Sequence, residues 1–467
     1  MIPRTNVIRA VGLGVVAAAT AVSAAAQAPA ASGALPPIRK LGAVVASSTE
    51  LLTAVSQVRA LPDGRVLVND NGGRKVVMFD ASLGAFTVVA DTTSATANAY
   101  SSRAGGLIHY KGDSTLFVDP TSLSMLVIDG KGNVARVMSV PRPSDASALV
   151  GGANGTPAFD ASGRLVYRAV GGIRMAQSAG GRAGGGAAPG AFPVPEFPDS
   201  TTLIRVDLAS RTVDTVASLK IQKQNMRVNQ MPNGGMSISA TLNPMQYVDD
   251  WAVTSDGRVA VIRGQEYRVD FVADGKVVSS SRIPFAWRHM DDSTKTAFLD
   301  STRTAMEKVR EQAMQRMQQQ GGAPIMMGPG GDGGGMGGAV TFRMETRAGG
   351  GGGDRPAPGA ANGAARGNTQ LSIPPIEMVG INELPDYAPP FAAGSVRGDE
   401  DGNVWIRTSN VYDGGSVYDI VNADGKLVDR VLLPPGRVIA GFGKGGVVYM
   451  GVRVNETGVR LEKATLR

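Results

Sequence analysis

The sequence predicts an all-β fold, a six-bladed β-propeller, on two observations. Short apolar, β-branched runs alternate with Asp/Gly turns, and that unit recurs about six times along the 467 residues. The first copy reads Leu61-Pro62-Asp63-Gly64-Arg65-Val66-Leu67-Val68-Asn69-Asp70, then Lys75-Val76-Val77-Met78-Phe79-Asp80, then Phe86-Thr87-Val88-Val89-Ala90. Asp and Gly accept the positive φ of a tight hairpin, so each D-G marks a chain reversal. Asp113–Val118 with Met125–Gly130 form the second copy, Ser162–Tyr167 with Leu203–Asp207 the third, and Asp256–Val261 with Tyr267–Val272 the fourth. Asp401–Ile406 with Val417–Val421, and a weaker Lys444–Tyr449, complete the series. Roughly 45–50 residues per uninterrupted copy leave room for four short strands, the content of one blade. A solenoid would repeat at a shorter period, and a sandwich has no reason to repeat its turns so regularly.

The last copy offers only three strands, Val438–Gly441, Val447–Gly451 and Val459–Thr465. Ile38–Ser47 lies before the first copy, has strand character, and is expected to complete the last blade as its outer strand. Such a closure removes exposed sheet edges. Two insertions interrupt the repeat, a low-complexity one at about 171–200 and a longer one at about 286–390. The first falls between the second and third strands of a blade, the second between two blades. Those connections share one face of the disc and the short D-G turns occupy the other, so both insertions emerge on one side, the expected binding face.

Gly180–Gly186 and Gly321–Asn368 are too poor in apolar bulk to offset ordering entropy and are expected to be disordered. Residues 292–320 differ. Phe298, Thr302, Ala305, Met306, Val309, Ala313 and Met317 recur at three- and four-residue steps. Asp292 or Ser293 can cap the start and Gly321-Gly322 the end, so the spacing predicts one amphipathic helix, docked on the propeller or hinged over it.

Charge and composition narrow the function. Lys and Arg number 47 against 40 acidic residues, a net charge of +7, yet no basic run is interleaved with aromatics as nucleic-acid readers require. The absence of Cys excludes disulfides, a thiolate nucleophile, zinc fingers and iron–sulfur clusters, and two His cannot make a three-His zinc site. No G-x-S-x-G elbow, Walker loop or H-E-x-x-H occurs. At the N-terminus, Arg4 and Arg9 precede an apolar stretch, Ala10–Val22, and Ala24-Ala25-Ala26 precede Gln27. This pattern predicts a cleavable Sec-type signal peptide over 1–26, too short to span a bilayer. The mature chain 27–467 is then a single propeller in a periplasm or outside the cell, with no integral membrane span.

The motif Asp401-Gly402-Asn403-Val404-Trp405-Ile406 resembles the blade motif of secreted bacterial six-bladed propellers of the NHL-like group. The resemblance runs from about Ile38 to Arg467, the two insertions aside. It implies architecture rather than activity, because such propellers range from binding modules to lactonases and lyases.

Three arginines end second strands at near-equivalent positions on the insertion-bearing face: Arg168, Arg263 and Arg407. Arg103, before Gly105-Gly106, can join them. Converging guanidinium groups suit a carboxylate, phosphate or sulfated sugar; the alternative is that each pairs locally, with Asp249, Asp413 or Glu266. Asp249 and Asp250 are adjacent on a strand and point to opposite faces, so they cannot share a proton or a metal. Either can reach the channel while the other forms an ion pair. Trp287 can stack on a sugar ring or bury against the disc. His289 beside it opens the long insertion and is a better functional candidate than His109, read as a packed strand residue. Asp399-Glu400-Asp401 reads as a solvated turn, without the ligand spacing of a calcium loop.

The sequence therefore points to an exported, non-catalytic propeller that binds an anionic small molecule, a glycan or a protein on its insertion-bearing face, with no cofactor. The alternative is a lactonase-like hydrolase or lyase using a channel-bound divalent cation such as Ca, held by Asp and Asn side chains; Asn154 and Asp249 do not align convincingly with such a site. A scaffold acting through the outer blade edges is a third reading.

Overall fold

The computed structural model describes residues 33–93, 98–101, 105–170, 174–175, 195–196, 198–223, 225–230, 236–273, 275–319, 377–455 and 458–466. Six blades, each built on four antiparallel strands, follow one another along the chain, and one of them carries a fifth, parallel strand. Blade 1 is Val55–Ala60, Val66–Asp70, Lys75–Phe79 and Phe86–Asp91; blade 2 is Gly106–His109, Thr115–Asp119, Ser124–Ile128 and Val134–Ser139. Blade 3 is Ala158–Phe159, Leu165–Arg168, Ser200–Val206 and Val213–Lys220; blade 4 is Asp250–Val253, Val259–Arg263, Arg268–Ala273 and Lys276–Ser279. Blade 5 is Val396–Gly398, Val404–Tyr412, Gly415–Val421 and Leu427–Leu433; blade 6 is Arg437–Gly443, Val447–Arg453, Val459–Thr465 and the N-terminal Val44–Ser47.

A blade is covered by a neighbour on each side, which explains why its middle strands are buried on both faces rather than alternating in exposure. Val66–Asp70 and Thr115–Asp119 are buried at every position. Strand pleating then sends successive side chains to opposite neighbours. In blade 1, Leu67, Val76 and Met78 pack toward blade 2, whereas Val66, Val68, Val77 and Phe79 pack toward blade 6. The same division holds around the disc: separate apolar clusters join blades 1 and 2, 2 and 3, 3 and 4, 4 and 5, 5 and 6, and finally 6 and 1. The architecture is a closed six-bladed β-propeller.

The turns carry a signal beyond D-G. Asp160, Asp399 and Asn422 each sit at the start of a hairpin turn and accept two backbone N–H bonds, from residues two and four positions on. The glycine that follows has φ of 74°, 88° and 76° at Gly163, Gly402 and Gly425. Gly257 is further constrained from outside, since a Cβ there would stand 2.2 Å from the backbone N of Ala161 in blade 3.

Closure differs in one respect from the expectation. Val44–Ser47 is the outer strand of blade 6, antiparallel to Val459–Thr465, but Ile38–Lys40 lies on blade 5, parallel to Leu427–Leu433. Between them Leu41 packs against the core joining blades 5 and 6, and Arg39 pairs with Asp429. Burying Leu41 in that seam divides the segment between two blades.

The helix α1 spans Asp292–Gln319. Its cap is Asp291, not Asp292 or Ser293: Asp291 Oδ1 accepts the Thr294 N–H and the Ser293 hydroxyl, both at 2.8 Å. Lys295, Leu299 and Thr302 are buried and Phe298 and Met306 half-buried, but Ala305 and Val309 are exposed. The apolar face therefore docks over the first turns only, against Met245, Met290, Val379, Leu384 and Ala388; the side chains of Ala313 and Met317 lie outside the described residues. A hairpin of Asn225–Gln230 and Met236–Leu242 also stands out, with Glu377–Met378 added parallel to it. Arg174–Met175 pairs with Pro195–Glu196 inside the insertion at 171–200, so that segment contains ordered pairing the low-complexity sequence did not announce. Gly180–Gly186 and Gly321–Asn368 lie outside the described residues.

Candidate functional site

Up-and-down connectivity fixes which face each loop occupies. The link between Leu165–Arg168 and Ser200–Val206 joins second and third strands, and the links from Lys220 to Asp250 and from Ser279 to Val396 join consecutive blades. All three emerge on one face, and the short first-to-second and third-to-fourth turns lie on the other.

The arginines of that face part company. Arg263 is a brace: Nε donates to Asp270 at 2.7 Å, and Nη1 donates to Asp249 at 2.8 Å and to the Ser218 carbonyl of blade 3 at 2.9 Å. It holds two blades together and is not available to a ligand. Arg168 donates to Asn154 Oδ1 and, at 3.4 Å, to the Ala153 carbonyl; burial lowers its pKa and the charge of Asp250 opposes this. Arg407 is half-buried, with no hydrogen-bond or ion-pair partner among the described residues. Arg103 lies outside them.

The residue that sequence reasoning missed is Arg397. It pairs across the sheet with Trp405, and Arg407 pairs with Tyr418. Paired residues, and residues two apart on a strand, share a face, so Arg397, Arg407 and Tyr418 project from the same side of blade 5. Arg397 likewise has no hydrogen-bond or ion-pair partner among the described residues. Burial lowers its pKa; Tyr418 and Asp250 act against that, and the charge of Arg407 adds to it. Two guanidinium groups repelling one another in a desolvated position favour an added anion. The signal that could have found Arg397 is its place two residues before Asp399, which opens the D-G turn, but its strand is only three residues long.

Asp249 and Asp250 take different partners, Asp249 lying just before the strand that Asp250 opens. Asp249 accepts the Lys220 N–H at 3.0 Å and the Gly264 N–H at 3.2 Å in addition to Arg263. Asp250 is 3% exposed and ties blade 4 to blade 5: Oδ1 accepts the Trp251 N–H at 2.9 Å, and Oδ2 accepts those of Ser395 and Val396 at 2.8 and 3.0 Å. Burial pushes its carboxyl up to about 6, against those donors and Arg168.

Trp287 is half-buried against the core between blades 4 and 5, edge-on to Phe285 at 5.2 Å. His289 is exposed and meets Tyr387 edge-on at 5.3 Å, in a backbone bridge that anchors the long link. Neither joins the arginine pair in any recorded contact. A polar cleft of about 730 Å³ opens between α1 and blade 4, lined by Glu266, Arg282, Asp292, Lys295 and Tyr387 among others, with Lys295 held by Asp386 at 2.8 Å.

A channel cation does not fit the donor set. Asn154 Oδ1 is occupied by Arg168, Asp249 is bonded to Arg263 and two N–H groups, and no cluster of three or more His, Asp or Glu suited to a metal exists among the described residues. Asp399-Glu400-Asp401 is not simply a solvated turn. Asp399 is buried and accepts the Trp405 indole N–H at 2.9 Å, and Asp401 accepts the backbone N–H groups of Gly445 and Gly446 in blade 6.

No protein-family model and no curated protein sequence matches the chain. Solved structures do. The calcium-binding protein regucalcin from Agrobacterium tumefaciens str. C58 is similar at 9% identity and a TM-score of 0.38, over 92% of this chain and 98% of that one. Virginiamycin B lyase from Staphylococcus aureus is similar at 7% identity and a TM-score of 0.34, over 89% and 96%. The PQQ-bound aldose sugar dehydrogenase from Streptomyces coelicolor is similar at 12% identity and a TM-score of 0.34, over 93% and 100%.

Proposed function

We propose that this protein is an exported binding propeller of the NHL-like kind that takes a small anion between Arg397 and Arg407, entering from its insertion-bearing face. One observation carries the reading. Two neighbouring guanidinium groups, partly withdrawn from water, have no acid hydrogen-bonded or ion-paired to them among the described residues, Asp250 acting on Arg397 only from a distance, whereas Arg263 has two such partners. Arg forks match carboxylate and phosphate oxygens, and desolvation strengthens such bonds. Tyr418 supplies a hydroxyl beside them. Residues 1–26 act in this reading as a cleaved export signal. The lactonase-like alternative requires a cation site that these side chains do not assemble.

The test is a thermal-shift titration with a graded set of mono-, di- and tricarboxylates and phosphate monoesters. A ligand present at about 100 times its Kd stabilises by about 2.7 kcal/mol. Arg397→Ala with Arg407→Ala should abolish that stabilisation. Arg263→Ala should lower the melting temperature and leave affinity intact; removing this partly exposed brace costs about 1–3 kcal/mol because two carboxylates lose their donor. Stabilisation that survives the double change refutes the site.

A further inference from the structure

The opposite mouth of the channel holds a second group of charged side chains, contributed by blades 5, 6, 1 and 2 in sequence around the ring. Arg59 ends the innermost strand of blade 1, His109 ends that of blade 2, Glu400 lies in the first turn of blade 5 and Lys444 in the first turn of blade 6. Glu400 and Lys444 sit in first-to-second turns, and Arg59 and His109 at the strand ends that lead into them, the end of the channel away from the insertions. Arg397 holds in blade 5 the place Arg59 holds in blade 1, four residues before the Asp of the D-G turn, whereas Arg407 lies toward the other end.

Arg59 is the centre of this group. It is 9% exposed, and its Nε–H is buried without an acceptor. Nη1 contacts the Ala60 carbonyl, and its nearest acid is Glu400 at 3.8 Å, too far for a hydrogen bond. A buried guanidinium whose Nε–H lacks an acceptor is costly, and what it lacks is an acceptor carrying negative charge. Glu400 serves poorly because burial raises its own pKa. His109 and Lys444 stand exposed at the opening, and both lie within electrostatic range of the group, as does Asp113. Burial followed by the charge of Arg59 lowers the His109 pKa to about 4, so at neutral pH this imidazole is uncharged and its one N–H is spent on the Gly112 carbonyl.

We infer that the short-turn face carries a separate oxyanion site, in which Arg59 Nε–H and Lys444 receive a small tetrahedral or planar oxyanion at the channel mouth, beside the uncharged ring of His109. Glu400 opposes the ligand and sets its affinity. The site shares no residue with the Arg397–Arg407 pair, so either can fail alone.

Sulfate is the probe, because its charge is constant from pH 5 to 8. Calorimetric titration of the full chain in low chloride is expected to show saturable sulfate binding that persists in the Arg397→Ala, Arg407→Ala double variant. Glu400→Gln removes the competing carboxylate and should tighten sulfate several-fold. Arg59→Lys keeps the charge but loses the Nε–H fork, and should weaken it about 10-fold or more. Lys444→Glu, on an exposed turn that cannot unfold the ring, should weaken it comparably. Sulfate affinity unchanged by both Lys444→Glu and Glu400→Gln would overturn the site, as would binding lost in the double variant.

Discussion

Tyr267 and Asp419 show how single polar side chains are used between blades. Tyr267 belongs to blade 4, yet its hydroxyl donates to Asp419 Oδ2 of blade 5 at 2.6 Å, and Arg430 lies 3.4 Å from the other carboxylate oxygen. Burial pushes the Asp419 carboxyl up to about 6, and the Tyr267 and Arg430 bonds work against that rise. Because the folded pKa exceeds the unfolded one, the folded state holds a proton between about pH 4 and 6 that the unfolded chain releases. The stabilisation that proton provides is present below about pH 4 and is lost as pH rises through 6. Tyr267→Phe removes a donor from the charged form and raises the Asp419 pKa further. We expect it to cost about 1–3 kcal/mol, more at pH 8 than at pH 5, in denaturant unfolding at the two values; an equal loss at both would contradict this. That Asp249 and Asp250 serve different partners agrees with a parity reading of the sequence, although only Asp250 lies on the strand. Which arginine stays unpaired was not, because Asp270, the acid that captures Arg263, lies seven residues along on the next strand.

At the scale of elements, the repeated turn made the blades readable, since Asp and Gly at a fixed step leave the backbone little choice. The N-terminal segment was half readable. Its apolar residues announced a strand, but only packing of Leu41 in the seam between blades 5 and 6 splits it into Val44–Ser47 and Ile38–Lys40. Deleting 38–47 should expose the edge of Val459–Thr465 and abolish a single cooperative melting transition or solubility. Deleting 38–40 alone should lower the melting temperature and keep the transition single, because blade 5 retains its own four strands. An unchanged melt after the longer deletion would refute the closure. Helix α1 was located by its period, whereas its docked face was overestimated: Ala305 and Val309 continue the stripe in sequence, but no described residue buries them. The Asn225–Gln230 and Met236–Leu242 hairpin escaped notice because it follows neither the D-G step nor a clean alternation.

For the whole molecule, ring closure places the long connections on one face and the tight turns on the other, and so gives the two channel mouths different chemistry. Arg407 lies toward the insertion-bearing face with Arg397 below it on the innermost strand; the short-turn face presents Arg59 with Glu400 against it. Both are consequences of where innermost strands begin and end, which makes the channel the natural place for charge to gather in a chain with net charge +7. The direct measurement is the anomalous difference map of a crystal soaked in selenate. A peak bridging the guanidinium groups of Arg397 and Arg407 is expected. A map with no peak there, and with each arginine turned onto an acidic side chain of its own, would contradict the proposed binding face.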